Sequence, residues 1–172
     1  SSTRDSILGI GLSGLLHALV PIDQQGRILA RAMLWMDQRC APQVEWLARE
    51  HPSLIERLGV VRMSTTFSAP KLRWIAEHDP DLLRRTYKFL SAKDFVRLRL
   101  TGNVATDASD AGGTALFDRY RGDWSLEMLD VIGVPVEKMA PIVDSAWVAG
   151  GITREAAELT GLRPGTPVVV GG

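Results

Sequence analysis

The spacing of apolar residues along the chain alternates between the every-other-residue spacing of strands and the three-to-four-residue spacing of helices. Residues 7–12 and 17–22 are short apolar or β-rich runs separated by Ser13-Gly14, and residues 23–26 supply turn chemistry before a third run at 28–35. The opening is therefore expected to be strand-rich. Over residues 37–50, Val44, Leu47 and Ala48 recur at helical spacing, and His51-Pro52 predicts the stop, because the residue before proline is driven out of the helical region. Ser68 is placed to cap a second helix, with Pro70 in its first turn and Leu72, Ile75 and Ala76 facing inward as far as Asp79-Pro80. Residues 82–85 predict a helical turn and residues 88–90 a brief strand. Ser91 and Asp94 have capping-box spacing ahead of Phe95, Leu98 and Leu100, and Gly102 is the expected stop.

Residues 107–114 are small and polar and read as a loop. Residues 124–133 are amphipathic through Leu126, Leu129 and Ile132, with Gly133 placed to end a helix. Pro135, Pro141 and Gly150-Gly151 punctuate an irregular stretch. Thr153 then caps a helix through Ala156, Ala157 and Leu159 that stops at Gly161, and a closing strand follows Pro164-Gly165. Strands interleaved with helices over the whole length predict an α/β layer fold without internal repeats.

Composition narrows the function. The 172 residues are 45% hydrophobic and 23% charged, enough apolar material for one substantial core. Lysine plus arginine (20) equals aspartate plus glutamate (20), so no cationic surplus is available for nucleic acid or an anionic membrane. No apolar run approaches the ~20 residues that span a bilayer. Cys40 is the only cysteine, which excludes an internal disulfide and any zinc-ligand pair and predicts a reducing, cytoplasmic compartment. Residues 1–6 are polar, unlike a signal peptide, and the chain closes on Val168-Val169-Val170-Gly171-Gly172, which reads as a buried strand entering a glycine turn. Such ends are expected of a piece of a longer protein.

Several segments invite chemical readings. Gly9-Ile10-Gly11-Leu12-Ser13-Gly14 matches a dinucleotide fingerprint by spacing, but its glycines lie within a strand run and no helix opens at Gly14, so a strand and turn explain it better. Ser13, His17 and Asp23 lack the nucleophile elbow of a hydrolase. His17 stands where an imidazole could exchange hydrogen bonds with sugar hydroxyls, although from the residues alone an ordinary partly buried histidine accounts for it better. Trp35-Met36-Asp37-Gln38-Arg39 joins an aromatic plane to hydrogen-bonding groups, which suits a carbohydrate. Equally, Asp37 could cap the next helix and Arg39 pair with an acid. Residues 107–114 carry two carboxylates without the spacing of a calcium loop, and Lys93-Asp94 read as helix-start residues.

Three segments taken together, Gly11-Leu12-Ser13-Gly14-Leu15-Leu16-His17, Ala32-Met33-Leu34-Trp35-Met36-Asp37-Gln38-Arg39 and Phe67-Ser68-Ala69-Pro70-Lys71-Leu72-Arg73-Trp74, resemble in order and spacing the FGGY carbohydrate kinases, particularly the xylulokinase branch. The resemblance continues through Lys93-Asp94, residues 98–102 and 106–111, Asp123-Trp124-Ser125 and Gly165-Thr166-Pro167-Val168. It implies part of an actin-like, ribonuclease-H-like domain, a mixed sheet flanked by helices, with residues 1–172 forming a partial N-terminal, sugar-binding domain and the ATP-binding C-terminal domain lying outside them. It also implies that Leu16 and His17 line a sugar pocket, that Trp35 is an apolar wall, that Thr66 and Phe67 lie near the far end of the sugar, and that Asp37 takes a lesser part.

Two departures bear on specificity: Leu15-Leu16-His17-Ala18 replaces the family's usual Gln-Met-His-Gly, removing an amide, and Thr66 stands where tyrosine, arginine or glycine is common. The family's glycine-rich, aspartate-containing phosphate hairpin has no counterpart before Ile7, and its general base is an aspartate expected just after Gly172. The resemblance thus implies a parent enzyme that uses Mg-ATP to phosphorylate a pentulose such as D-xylulose, while this piece alone carries no catalytic residue or metal ligand and binds no cofactor. A non-catalytic sugar-binding module, or an assembly module forming a homodimer through an uncovered sheet edge, is the alternative.

Overall fold

The computed structural model describes residues 6–171. In chain order it comprises β1 (Val20–Ile22), α1 (Ala41–Glu50), α2 (Pro52–Arg57), α3 (Ser68–His78), α4 (Pro80–Arg85), β2 (Lys88–Leu90), α5 (Ala92–Thr101), β3 (Thr106–Asp107) and α6 (Ala108–Gly112). The remainder is β4 (Phe117–Asp118), β5 (Asp123–Trp124), α7 (Leu126–Ile132), a 3-10 turn (Val136–Lys138), β6 (Ile142–Val143), β7 (Val148–Gly151), α8 (Arg154–Thr160) and β8 (Pro167–Val169).

The helix boundaries follow from their caps. Ser91, Ser125 and Thr153 accept hydrogen bonds from the amides of Asp94, Met128 and Ala156, and Asp79 does the same for Leu82. Gly102, Gly133 and Gly161 end their helices in the left-handed region. Three expectations are corrected. Pro52 ends α1 but also opens α2, since a proline in the first turn forfeits no helical bond. Ser68 is the first helical residue of α3 rather than its cap; Phe67 holds the cap position, and the Ala69 amide donates instead to the Thr114 carbonyl at 3.0 Å. Residues 108–112 of the expected loop form α6, too short for a periodic pattern to announce it.

The strands are mixed in direction. β1 pairs antiparallel with β2, β4 with β5 and β7 with β8, while β3 and β6 are parallel. Only Ile10 of the first expected run is paired, in a parallel bridge to Val168, and bridges join Leu19 to Met33 and Ile22 to Ile28. The last residue of the closing glycine turn, Gly172, lies outside the described residues.

The largest apolar cluster joins Leu47 of α1, Ile55 of α2, Leu72 and Ile75 of α3, Trp124 of β5 and Leu129 of α7. A smaller cluster packs Val20, Ile22 and Leu90 against Phe95 and Leu98 of α5, and a third joins Val168 of β8 to Ala156 of α8, Ile10 and Leu100. Helix α5 therefore stands between the β1–β2 ladder and β8, and it carries polar groups to the junction. Among the described residues, no helix is long and apolar enough to cross a membrane. Because Leu72 is fully buried where α3 meets the main cluster, Leu72→Ala is expected to lower unfolding free energy by about 2–5 kcal/mol, measured by urea denaturation.

Candidate functional site

His17 precedes β1 with φ 63°, a left-handed conformation that its Cβ disfavours. Its backbone is held by Lys71, which lies in the second turn of α3 and is fully buried. The Lys71 Nζ donates to the His17 carbonyl at 2.7 Å and to the Thr66 carbonyl at 2.9 Å. Burial pushes the Lys71 ammonium down to about 8, against the pull of Cys40 and Asp37. The His17 ring meets Phe67 edge-on, centroids 5.6 Å apart. Its other side lies against Gly113, where an added Cβ would stand 3.0 Å from Cε1. Nδ1 is buried and has no hydrogen-bond partner among the described residues. Burial lowers the imidazole below its ordinary value, opposed by the Gly113 backbone, reinforced by Lys71 and opposed again by Asp110. With its pKa lowered, the ring is mainly uncharged at neutral pH, so that one nitrogen can donate and the other accept.

Beside His17 lies a cavity of about 30 Å³ bordered by Ser68, Ser91, Asp94 and Asp110. It is far below the ~300 Å³ at which ligand sites begin, so the corner offers a small molecule a wall rather than an enclosure. On the other side of the cavity is a buried ion network on α5. Lys93 Nζ bonds Asp107 Oδ1 at 2.7 Å and the Val170 carbonyl at 3.0 Å, with Asp94 at 3.4 Å and Asp110 at 3.5 Å. Arg97, one turn on, bonds Asp94 at 2.7 Å, Val170 at 3.0 Å and the Ala105 carbonyl. Ser91 and Ser145 donate to Asp110 and Asp107. Burial alone would lower the Lys93 ammonium, but the Asp107 bond and the surrounding carboxylates outweigh it and raise its pKa. Burial alone would raise Asp107, yet the bonds from Lys93 and Ser145 hold it below the usual carboxylate range.

The sequence pattern of the N-terminal domain of the FGGY family of carbohydrate kinases matches residues 1–172. The chain belongs to that family. The xylulose kinase of Bacillus subtilis is 37% identical over 164 residues, covering 95% of this chain and 33% of that protein. The crystal structure of xylulose kinase from Rhodospirillum rubrum superposes with a TM-score of 0.87 at 28% identity, over 96% of this chain and 34% of that one. The gluconate kinase structure from Lactobacillus acidophilus, at 21% identity, shares the fold with a TM-score of 0.89 over 98% of this chain and 35% of its own. The chain thus spans about a third of the length of the relatives it matches, and its fold is that of FGGY kinases.

Of the six positions that the FGGY resemblance singles out, the structure gathers His17, Thr66 and Phe67 around Lys71. Thr66 contributes its carbonyl. Leu16 is half-exposed, as is Trp35, which sits in a turn closed by the Asp37 amide on the Leu34 carbonyl. Asp37 does not cap α1, whose cap position is Cys40; it grips Arg39 at 2.6 Å, and that guanidinium lies 4.9 Å from the Trp74 ring. Lys71, Arg97 and Gly113 are the residues that sequence reasoning missed. For Lys71 a signal existed, a lysine four residues before Ile75 on the apolar face of α3.

Among the described residues, no group of three or more His, Cys, Asp or Glu side chains is arranged to hold a metal ion. The carboxylates nearest the corner are instead committed to Lys93, Arg97 and serine hydroxyls. Because the folded pKa of Asp107 is depressed, its contribution to stability is present above about pH 4 and is lost as pH falls through the folded value. Asp107→Asn is therefore expected to cost roughly 3 kcal/mol at pH 7 by leaving Lys93 short of its nearest anion. Urea melts at pH 7 and pH 3 check this, with the difference from wild type shrinking at the lower pH.

Proposed function

We propose that this chain is the sugar-holding N-terminal part of a cytoplasmic ATP-dependent kinase that transfers the γ-phosphoryl group of ATP to a hydroxyl of a pentulose, D-xylulose foremost. The observation that carries this reading is the meeting of His17 with the distant segment Thr66-Phe67, the two backbones joined at one buried ammonium and the His17 and Phe67 rings in edge contact. A neutral imidazole in a fixed orientation can both donate to and accept from sugar hydroxyls. The Phe67 edge and the half-exposed indole of Trp35 offer apolar surfaces to the C–H faces of a sugar, with Leu16 beside His17. The 37% identity to a xylulose kinase across 95% of the chain supports the choice of sugar.

Magnesium and ATP are the cofactors of that reaction. The carboxylates nearest the corner, Asp94, Asp107 and Asp110, do not suit a divalent ion, being engaged by cations and hydroxyls, so no step of phosphoryl transfer is routed through them. The nucleotide, the metal and an aspartate base expected just after Gly172 are assigned to other parts of the enzyme. The residues in hand bind and orient the acceptor, which removes orientational freedom before reaction.

The complete reading frame containing this chain, assayed for sugar-dependent ADP formation with D-xylulose, D-ribulose and gluconate, is expected to favour D-xylulose. His17→Ala should raise the KM for the sugar roughly tenfold or more, about 1.4 kcal/mol of lost binding, and leave the KM for ATP nearly unchanged. The 172-residue chain alone should form no ADP. Absence of sugar-dependent ADP formation by the complete protein across the panel refutes the reading.

A further inference from the structure

We propose that Lys71 is a positioning residue for the sugar wall: its ammonium, donating to the carbonyls of His17 and Thr66 together, locks the left-handed backbone at His17 to the turn that presents Phe67. The proposal rests on the assignment of His17 and Phe67 to the sugar.

Three observations lead to it. The Lys71 side chain is fully buried on the apolar face of α3, a site that methionine would fill by volume. What methionine could not do is donate to two carbonyls, and charge-assisted donation is the strong form of that bond. The two carbonyls belong to segments that meet edge-on through the His17 and Phe67 rings, so one cation sets the spacing of both. Finally, His17 needs an external hold, because its left-handed backbone is disfavoured for a residue with a Cβ.

The titratable and charged groups facing Lys71 are few. They are the Cys40 thiol at the start of α1, Asp37 in the preceding turn with its partner Arg39, and His17 itself. None of these bonds Lys71 directly as an anion among the described ion pairs, and burial leaves its pKa at about 8 instead of 10.5. The ammonium is therefore present at pH 7 and is lost as pH rises through about 8. In the unfolded chain the same lysine keeps its proton up to its ordinary value, so raising pH from about 8 toward 10.5 favours the fold while it weakens the hold on His17. A merely structural lysine would show no such opposition between stability and sugar affinity.

The test uses the complete enzyme between pH 7 and 9.5. The KM for D-xylulose should rise about fivefold or more around pH 8 while the KM for ATP stays flat and the melting temperature does not fall. The ring signal of His17 in 13C-histidine NMR should move with the same midpoint, well above the imidazole's own lowered titration. Lys71→Met should raise the sugar KM roughly tenfold and abolish the pH effect, with Lys71→Arg recovering part of the affinity. A static His17 signal in the wild type, or a folded Lys71→Met variant with unchanged sugar KM, overturns the proposal. If Lys71→Met does not fold, the wild-type pH profile decides; a flat profile overturns the proposal. If no sugar is turned over, the function proposed above fails by itself, and the His17 signal alone sustains or sinks the role of Lys71.

Discussion

Two cations on consecutive turns of α5, Lys93 and Arg97, hold the carbonyl of Val170, and the rest of the domain is arranged around that grip. Burying this many charges is unfavourable unless each finds partners. Here Asp94, Asp107, Asp110, the Ala105 carbonyl and two serine hydroxyls provide them. Ser91 serves twice, capping α5 through the Asp94 amide and donating to Asp110. The helix start, the β3–α6 junction and the end of β8 are thereby one polar unit. The close fit extends to backbone: a Cβ on Gly171 would fall 2.7 Å from Ser145, and one on Gly14 would fall 3.1 Å from Lys93. The glycine turn before His17 thus rests on the same helix that anchors the end of β8.

The two buried lysines of this domain differ in kind. Lys93 sits among carboxylates that raise its pKa, and its charge is compensated where it lies. Lys71 faces carbonyls, which orient a cation without neutralising it, and its pKa falls. One lysine sustains the fold and the other shapes a surface at some cost to stability, a division common where a protein must hold a strained residue in place.

Much of this was legible in the chain. Ser91, Thr153, Gly102, Gly133 and Gly161 marked helix ends because capping is local chemistry, decided within four residues. The strand at 88–90 was also found, and His17, Thr66 and Phe67, singled out by family resemblance, lie together in the fold. What escaped depends on distance. Helix α6 is held by partners far along the chain, Ser91 on Asp110 and the Ala69 amide on the Thr114 carbonyl just beyond it, and both α6 and the β4–β5 hairpin carry too few residues to show a period. Lys93-Asp94 were placed correctly at a helix start, yet their union with Asp107 and Val170 joins segments that no local pattern connects. Asp37 is not the cap of α1 but pairs with Arg39, which packs over Trp74, a contact that residue spacing alone does not reveal.

The imidazole of His17 occupies the space in which residue 113 would otherwise begin a side chain, 3.0 Å from Cε1. Positions 17 and 113 are therefore one steric choice made in two places. A descendant that exchanged the histidine for a smaller residue would gain room for a side chain on α6's far end. Any such side chain would enter the corner from the opposite direction, so the shape of this wall can be altered at position 113 as well as at position 17.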